Sequence, residues 1–230
     1  MNAVVDELTR KAAVLPDNLC SMNCGAGVSL NYVLSPTFVE PEDYHWFVMR
    51  VPYGKEREVA KTIQSDSLLT YVPTRTVVRT KNGKREFVEQ SALPNMFFAY
   101  AREEDLIYLH ERPVVFPDHP EWVPGQLHFM YDHTRKNEAG YDRKMIVPFG
   151  QMLNFIRVTM QDDEHVRVYL NDSFQAKQGD YVEVIDGKFA GVRGRVARLR
   201  GQTCVLVELD GICVASTAYV PKAFLKKINI

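Results

Sequence analysis

The sequence predicts an α+β fold in which an antiparallel sheet flanked by helices is followed by a small β-barrel. Two observations carry this prediction. In the first half of the chain, strand and helix patterns follow one another in the order β-α-β-β-α, with an Asn82-Gly83 turn signal between two of the strands. Near the end, a strand pattern at residues 179–185 leads into Gly187, Gly191 and Gly194, and this spacing predicts a tight loop feeding the next barrel strand.

A chain of 230 residues with 46% hydrophobic and 25% charged residues is long enough for two small domains. The predicted parts are a weakly ordered extension (1–43), an α+β domain (44–160), a linker (161–176) in which residues 166–170 could pair locally, and a barrel domain (177–230). The net charge of −1 gives no overall electrostatic case for nucleic acid, although the barrel domain is the basic end of the chain.

The cysteine pattern favours reduced thiols in a cytoplasmic protein. Four cysteines form two distant pairs without C-x-x-C spacing, and no secretory signal is recognisable. They are Cys20, Cys24, Cys204 and Cys213. An uncharged stretch at residues 18–39 is interrupted too often by polar residues, glycines and a proline to predict a membrane span.

The elements of the first domain follow from apolar patterning. A nearly continuous apolar run at His45–Val51 predicts a strand buried on both faces in the middle of a sheet. Other patterns predict the following elements: a helix at 55–66, a hairpin of strands at 71–80 and 85–90, a strand at 93–100, a helix at 103–111, strand pieces at 129–132 and 144–147, and a helix at 149–160. Residues 113–127 hold four prolines and are expected to be mostly loop.

Two groups of motifs carry a family resemblance. The pattern G-D-x-V-x-V-x-x-G-x-F-x-G-x-x-G-x-V at residues 179–196 resembles the KOW motif. Upstream, the segments WFVMRV at 46–51, YVPT at 71–74, LPNMFF at 93–98 and MIVP at 145–148 resemble, in their order and spacing, the NGN domain of the NusG family of transcription elongation factors. The YDHT segment at 131–134 is most similar to the UpxY subgroup, antiterminators of capsular polysaccharide operons.

The resemblance implies a monomeric, non-enzymatic factor that binds the clamp helices of RNA polymerase and promotes processive transcription. The expected contact is an apolar surface formed by Met96, Phe98, Tyr100, Ile107 and Tyr108, with Phe98 on the surface and its neighbour in the core. Where the family has glycine or asparagine followed by an aromatic residue, this chain has Asn95-Met96. Asparagine tolerates the left-handed conformation, so the turn is expected to survive.

A basic hairpin is the candidate nucleic-acid site. Its cations fall within eleven residues that contain no acid, and a two-stranded ribbon presenting such charge suits the phosphates of upstream or displaced DNA. The residues are Arg75, Arg79, Lys81, Lys84 and Arg85. The alternative is a solvated hairpin whose lysines protect an edge strand from pairing.

The glycine loop of the barrel carries a second expected contact. The resemblance implies that Phe189, with Lys188 and Arg193, meets a ribosomal protein or the termination factor Rho; the alternative is that Phe189 closes the end of the barrel. A second function therefore stays open, that of a ribosome-associated or RNA-binding KOW protein without polymerase activity.

Enzyme motifs are missing from the sequence. There is no Walker A loop, no G-x-S-x-G and no G-x-G-x-x-G, and no cofactor is expected. His119, His128 and His133 with Asp118 and Asp132 lack the spacing of a metal site, and a cysteine site would need Cys20 and Cys24 to reach the barrel.

Overall fold

A computed structural model describes residues 40–52, 54–65, 68–111, 127–161, 163–170 and 178–228. The extension predicted for residues 1–43 therefore lies outside the described residues except for its last four. The described residues form two compact units, one from residues 40–71 and 95–146 and the other from residues 72–94 and 147–228. The predicted domain bounds stay a prediction.

The elements in chain order are β1 (Tyr44–Arg50), α1 (Glu56–Ser65), β2 (Leu69–Tyr71), β3 (Thr74–Lys81), β4 (Lys84–Ser91), β5 (Met96–Arg102), α2 (Glu103–His110), β6 (His128–Phe129), β7 (Tyr131–Lys136), β8 (Asp142–Lys144), β9 (Ile146–Val147), α3 (Phe149–Thr159), β10 (Arg167–Leu170), β11 (Gln178–Val184), β12 (Arg193–Leu199), β13 (Gln202–Leu209), β14 (Cys213–Ser216) and β15 (Leu225–Lys227), with a 3-10 turn at Lys222–Phe224. From β1 to α2 the structure has the order β-α-β-β-β-β-α, two strands more than the predicted β-α-β-β-α: the short strand β2 before the hairpin, and β5, which corresponds to the apolar run at 93–100.

Strand β1 is the central strand of the first unit, as predicted. It pairs antiparallel with β5 along its whole length and with β6 at its end, in a sheet of order β2-β5-β1-β6 to which β9 adds beside β1. Trp46, Phe47, Val48 and Met49 are all fully or almost fully buried. A strand with both neighbours paired and both faces covered has no side open to water, which is why its sequence is a continuous apolar run rather than an alternating one.

The turn that leads into β5 depends on Asn95. Its φ of +63° is left-handed, as its side-chain chemistry predicted. Its carbonyl oxygen accepts a hydrogen bond from the backbone N–H of Val51 at 2.9 Å, and its Oδ1 accepts one from the N–H of Gly54, also at 2.9 Å. One residue thus joins the end of β1 to the start of β5.

The second unit contains a six-stranded antiparallel sheet of order β10-β14-β13-β12-β11-β15, the β-rich region expected of a KOW or SH3-like domain. Val182 and Val184 point into it and are buried, and Gly187 and Gly191 have φ of +82°. Strand β10 lies in the predicted linker, yet it pairs with the distant strand β14, in the register Arg167 to Ser216 through Leu170 to Cys213. The interpretation of local pairing there is wrong.

Helix α3 packs against strands β13 and β14 of this sheet. Its apolar face is buried, with Met152, Phe155 and Ile156 all at 0% exposure. The burial follows from their spacing of three and one residues, which places all three on one side of a helix. In the first turn of α3, Gln151 donates from Nε2 to the Asp210 carboxylate at 3.1 Å.

Cys204 and Cys213 are buried and free, while Cys20 and Cys24 lie outside the described residues. In the part of the chain that the structure describes, no helix has the length and apolar character needed to cross a membrane.

Candidate nucleic-acid interface

The β3–β4 hairpin is closed by a two-residue turn at Asn82-Gly83. Both residues have positive φ, +51° and +75°, which is the type I′ geometry that matches the twist of the flanking strands. The turn fixes the register, so that Lys81 lies opposite Lys84 and each further pair follows in step up to Thr74 opposite Ser91. The predicted hairpin is confirmed, with β3 starting three residues later than predicted because Pro73 interrupts the run.

The register sorts the hairpin side chains into two faces. Residues directly opposite each other in an antiparallel pair project to the same side, and neighbours along a strand project to opposite sides. One face, here called the basic face, therefore carries Arg75, Arg79, Lys81 and Lys84, with Val77, Glu86, Val88 and Gln90. The other, here called the aromatic face, carries Thr74, Thr76, Val78, Thr80, Arg85, Phe87, Glu89 and Ser91.

Four of the five predicted cations thus share one face, and the fifth, Arg85, lies on the other. All five are exposed. No ion pair joins any of them to another residue in the described parts of the chain, although Glu86 lies directly opposite Arg79. Because solvated cations without a carboxylate partner keep their full charge for a phosphate, the basic face can bind a nucleic-acid backbone.

Phe87 was missed by the sequence analysis. It is 80% exposed, and its cross-strand partner Val78 is 57% exposed. Counting outward from Asn82-Gly83 would have found the pair, since positions whose numbers add up to 165 lie opposite each other. An aromatic residue at such a position, beside an arginine two residues away, is a recognisable signal for a base-binding surface.

The predicted polymerase surface is partly corrected. Phe98 and Tyr100 are both 0% exposed, so the prediction that Phe98 lies on the surface is wrong. The physical reason is that β5 is paired on both edges, with β2 and β1, and is packed against helices α1 and α2, so that every residue from Phe97 to Ala101 is buried. Tyr100 packs its ring against Trp46, with centroids 5.1 Å apart. Met96, Ile107 and Tyr108 keep part of their side chains accessible.

The glycine loop of the barrel does not present its aromatic residue to a partner. Phe189 is only 3% exposed. Lys188 lies over its ring, 5.3 Å from the centroid, and forms an ion pair with Asp163. Arg193 remains exposed and pairs with Glu183 at 3.3 Å.

Helix α3 supplies the cover of this loop. Arg157 donates from Nη1 to the carbonyl oxygen of Gly191 at 3.3 Å, and Asn154 accepts through Oδ1 from the N–H of Arg193 at 3.1 Å. The side chains of Asn154 and Arg157, one helical turn apart, thus hydrogen-bond to two backbone groups of the same loop. Sequence patterns cannot reveal a contact between residues so far apart in the chain.

A second hairpin, β7–β8, extends into the tip that the sequence predicted to be loop. Asp142 accepts hydrogen bonds from Lys136 and from Nδ1 of His133, the latter at 2.6 Å, and the Lys136 bond is the main reason that the pKa of this carboxyl lies below its ordinary value. Hydrogen bonds from Thr134 lower the pKa of Asp132 in the same way. Three cations of the second hairpin, Arg135, Lys136 and Lys144, thus each have a carboxylate partner, whereas the cations of the first have none among the described residues.

The histidines do not form a metal site within the described residues. His128 stacks edge-on against His110, with ring centroids 5.5 Å apart, while His133 bonds to Asp142. No group of three potential ligands comes together in the parts of the chain described. His119 and Asp118 lie outside them.

The antiparallel sheet with its helices, the β3–β4 hairpin and the β-rich region together have the elements of a NusG-like fold. Residues 44–116 match the family model described as "Transcription termination factor nusG". Among solved structures, the chain is similar to that of "Domain interaction in Thermotoga maritima NusG", with 16% identity, coverage of 81% of this chain and 98% of that one, and a TM-score of 0.36. The comparison with curated proteins gives no match.

Proposed function

We propose that this protein is a NusG-like transcription elongation factor that binds RNA polymerase and promotes processive transcription or antitermination. The observation that carries the proposal is the match of residues 44–116, which include every element from β1 to α2, to the NusG family model. The factor acts by binding and not by catalysis. Binding alone can change elongation, because a ligand that prefers the closed clamp shifts the polymerase toward that state.

The polymerase contact is assigned to Met96, Ile107 and Tyr108, the three predicted residues with accessible side chains. Phe98 and Tyr100 belong instead to the buried core of the same unit. An apolar helix of the clamp seated on such a surface is a common recognition mode.

The β3–β4 hairpin is assigned to nucleic acid in the elongation complex. Its basic face presents four cations that are not neutralised by described carboxylates, and each phosphate they neutralise releases a counterion. This contact is therefore expected to weaken steeply as salt rises.

We further propose that the factor acts on a specific operon, such as one for polysaccharide biosynthesis, because residues 131–134 are similar to the UpxY subgroup. A further partner, ribosome or Rho, is assigned to Phe189, Lys188 and Arg193. Because Phe189 is buried and α3 holds its loop, this partner has to displace the hydrogen bonds of Asn154 and Arg157 first.

The test is transcription by purified polymerase through a long leader, on the protein's own operon and on an unrelated template. We expect longer transcripts with the protein present, and loss of the effect when Arg79, Lys81, Lys84 and Arg85 are changed to glutamine. A charge-matched variant with glutamine at four exposed barrel cations, Arg195, Arg198, Lys222 and Lys226, should keep it.

The outcome also separates the alternative function. The proposal is wrong if the wild-type protein leaves the transcripts of both templates unchanged and copurifies with ribosomal particles but not with polymerase subunits. The ribosome-associated function then takes its place. An effect on its own operon alone supports the operon-specific assignment, whereas equal effects on both templates contradict it.

A further inference from the structure

Phe87 is the most exposed of the large apolar side chains in the described residues, at 80%. It lies in a regular strand, and the neighbouring side chains of the aromatic face are exposed as well: Thr76, Val78, Thr80, Arg85 and Glu89. No hydrogen bond, ring contact or cation–π contact joins its ring to a described residue. Its cross-strand partner Val78 is also exposed, at 57%, so the two residues form an apolar surface patch and not a singly exposed side chain.

The surroundings of the ring indicate what covers it. Val78 lies directly opposite on the same face and forms an aliphatic floor beside the ring. The next pair toward the turn is Thr80 and Arg85, about 6.8 Å along the strands, so a cation and a hydroxyl lie one step from the ring. The tip beyond them carries Lys81 and Lys84, which project from the opposite, basic face. On the aromatic face, a ring followed by the unpaired cation Arg85 is complementary to a base followed by its phosphate.

We propose that Phe87 stacks on an unpaired base of a single-stranded nucleic acid, with Arg85, on the same face, holding an adjoining phosphate. This inference rests on the assignment of the hairpin to nucleic acid and adds the kind of strand it binds. In a duplex the faces of the bases are covered by their neighbours, so a stacking ring favours a single strand over a duplex. The phosphates alone cannot make that distinction.

A competing account treats Phe87 and Val78 as a cross-strand pair that stabilises the hairpin and nothing more. The two accounts differ in what they require of the side chain. A cross-strand pair is served by any bulky apolar residue, whereas stacking requires a flat π-face. Leucine therefore satisfies the first account and fails the second, and tryptophan satisfies both.

The experiment measures the affinity of the full chain for labelled oligonucleotides about 16 nucleotides long, the upper end of a single-strand site. The probes are oligo-dT, oligo-rU and a DNA duplex of equal length, at one fixed salt concentration. We expect Phe87→Ala and Phe87→Leu to bind at least one single strand about 5- to 150-fold more weakly, with Phe87→Trp close to wild type and duplex binding unchanged in all three. Comparison of oligo-dT with oligo-rU tells whether the strand is DNA or RNA.

Tyr141→Ala is the matched control, because Tyr141 is another aromatic residue, 73% exposed, on the other hairpin. It should bind all probes as wild type does. Thermal unfolding of each variant checks that the fold is intact. In Phe87→Trp, a change in indole fluorescence on adding the single strand, beyond that of wild type, reports stacking directly.

Three results would overturn the inference: wild-type affinity of Phe87→Leu for single strands, an equal loss for the duplex, or Phe87 variants that bind every probe normally but no longer bind polymerase. The proposed function fails separately. If the four-glutamine hairpin variant loses all probes while Phe87→Ala binds normally, the charged hairpin stands and the stacking falls. If Phe87→Ala loses single strands but wild type has no effect on transcription, the stacking stands and the elongation role falls.

Discussion

The side-chain oxygen of Asn154 accepts a hydrogen bond from the backbone N–H of Arg193, 3.1 Å away, and so ties α3 to the loop that holds Phe189. Replacing Asn154 by alanine removes the acceptor from one backbone donor. We expect the amide hydrogen of Arg193 to exchange up to about tenfold faster, since a neutral hydrogen bond contributes about 1 kcal/mol.

Hydrogen exchange followed residue by residue checks this. Gln151→Ala is the control on the same helix, because Gln151 bonds to Asp210 and not to the glycine loop. Equal protection of Arg193 in wild type and Asn154→Ala would show that the loop is held without α3.

Gly194 has no room for a side chain. A Cβ there would lie 2.0 Å from the carbonyl oxygen of Leu206, on the neighbouring strand β13. Gly194→Ala therefore has to push two paired strands apart, and we expect a loss of at least about 3 kcal/mol in the free energy of unfolding. Gly150→Ala, in α3 with open space around it, is the control and should be neutral or stabilising by up to about 1 kcal/mol. Urea unfolding of Gly194→Ala and Gly150→Ala measures both effects. Similar unfolding midpoints for the two variants would contradict the prediction.

Two substitutions at Asn95 separate the free-energy cost of its left-handed conformation from that of losing its side-chain hydrogen bond. Glycine adopts a φ of +63° without strain but loses the bond from Oδ1 to the N–H of Gly54. Alanine loses the bond and adds about 1 kcal/mol of strain. Asn95→Ala should therefore unfold at lower denaturant concentration than Asn95→Gly. The reverse order would show that the left-handed turn is not required.

Phe98 is predicted to be a core residue. Phe98→Ala should cost about 3–5 kcal/mol in unfolding free energy, because it leaves a cavity in the core of the first unit. The same change at the exposed Phe87 should cost no more than about 1 kcal/mol. Denaturant unfolding measures both. A loss of polymerase binding in Phe98→Ala is then interpreted only after its folding is known, whereas Met96→Ala, Ile107→Ala and Tyr108→Ala test the surface directly.

Burial raises the pKa of the Cys213 thiol to about 12. In the unfolded chain the pKa of a thiol is about 8.5, so the folded state holds this proton more tightly. The resulting stability is fully present below about pH 8.5 and is lost as the pH rises toward 12. Wild type should lose more unfolding free energy than Cys213→Ala between about pH 7.5 and pH 10. Parallel pH profiles of the two proteins would contradict the burial of this thiol.

Local signals predicted most of the elements. The Asn82-Gly83 turn fixed the hairpin and its register, because turn geometry is decided by two residues, and the run at His45–Val51 predicted a central strand, because burial on both faces leaves no polar position. The same rule applied to residues 96–101 would have placed Phe98 in the core. The error came from requiring an alternating pattern in a strand that lies between two others.

The enclosure of Phe189 and the pairing of β10 could not be predicted in this way. Both depend on contacts between segments that are distant in the chain, α3 with the glycine loop and β10 with β14. Nothing within either segment encodes the partner. The polar composition of residues 161–176 is typical of a linker even where a strand forms.

Strand β10 determines where the second unit can be cut for study on its own. It covers the outer edge of β14, and a fragment starting at residue 177 would leave the backbone groups of Cys213–Ser216 unpaired along a row of buried apolar side chains. Such an edge pairs with other copies of itself. A fragment that begins before Arg167 keeps the edge covered and should be the soluble one.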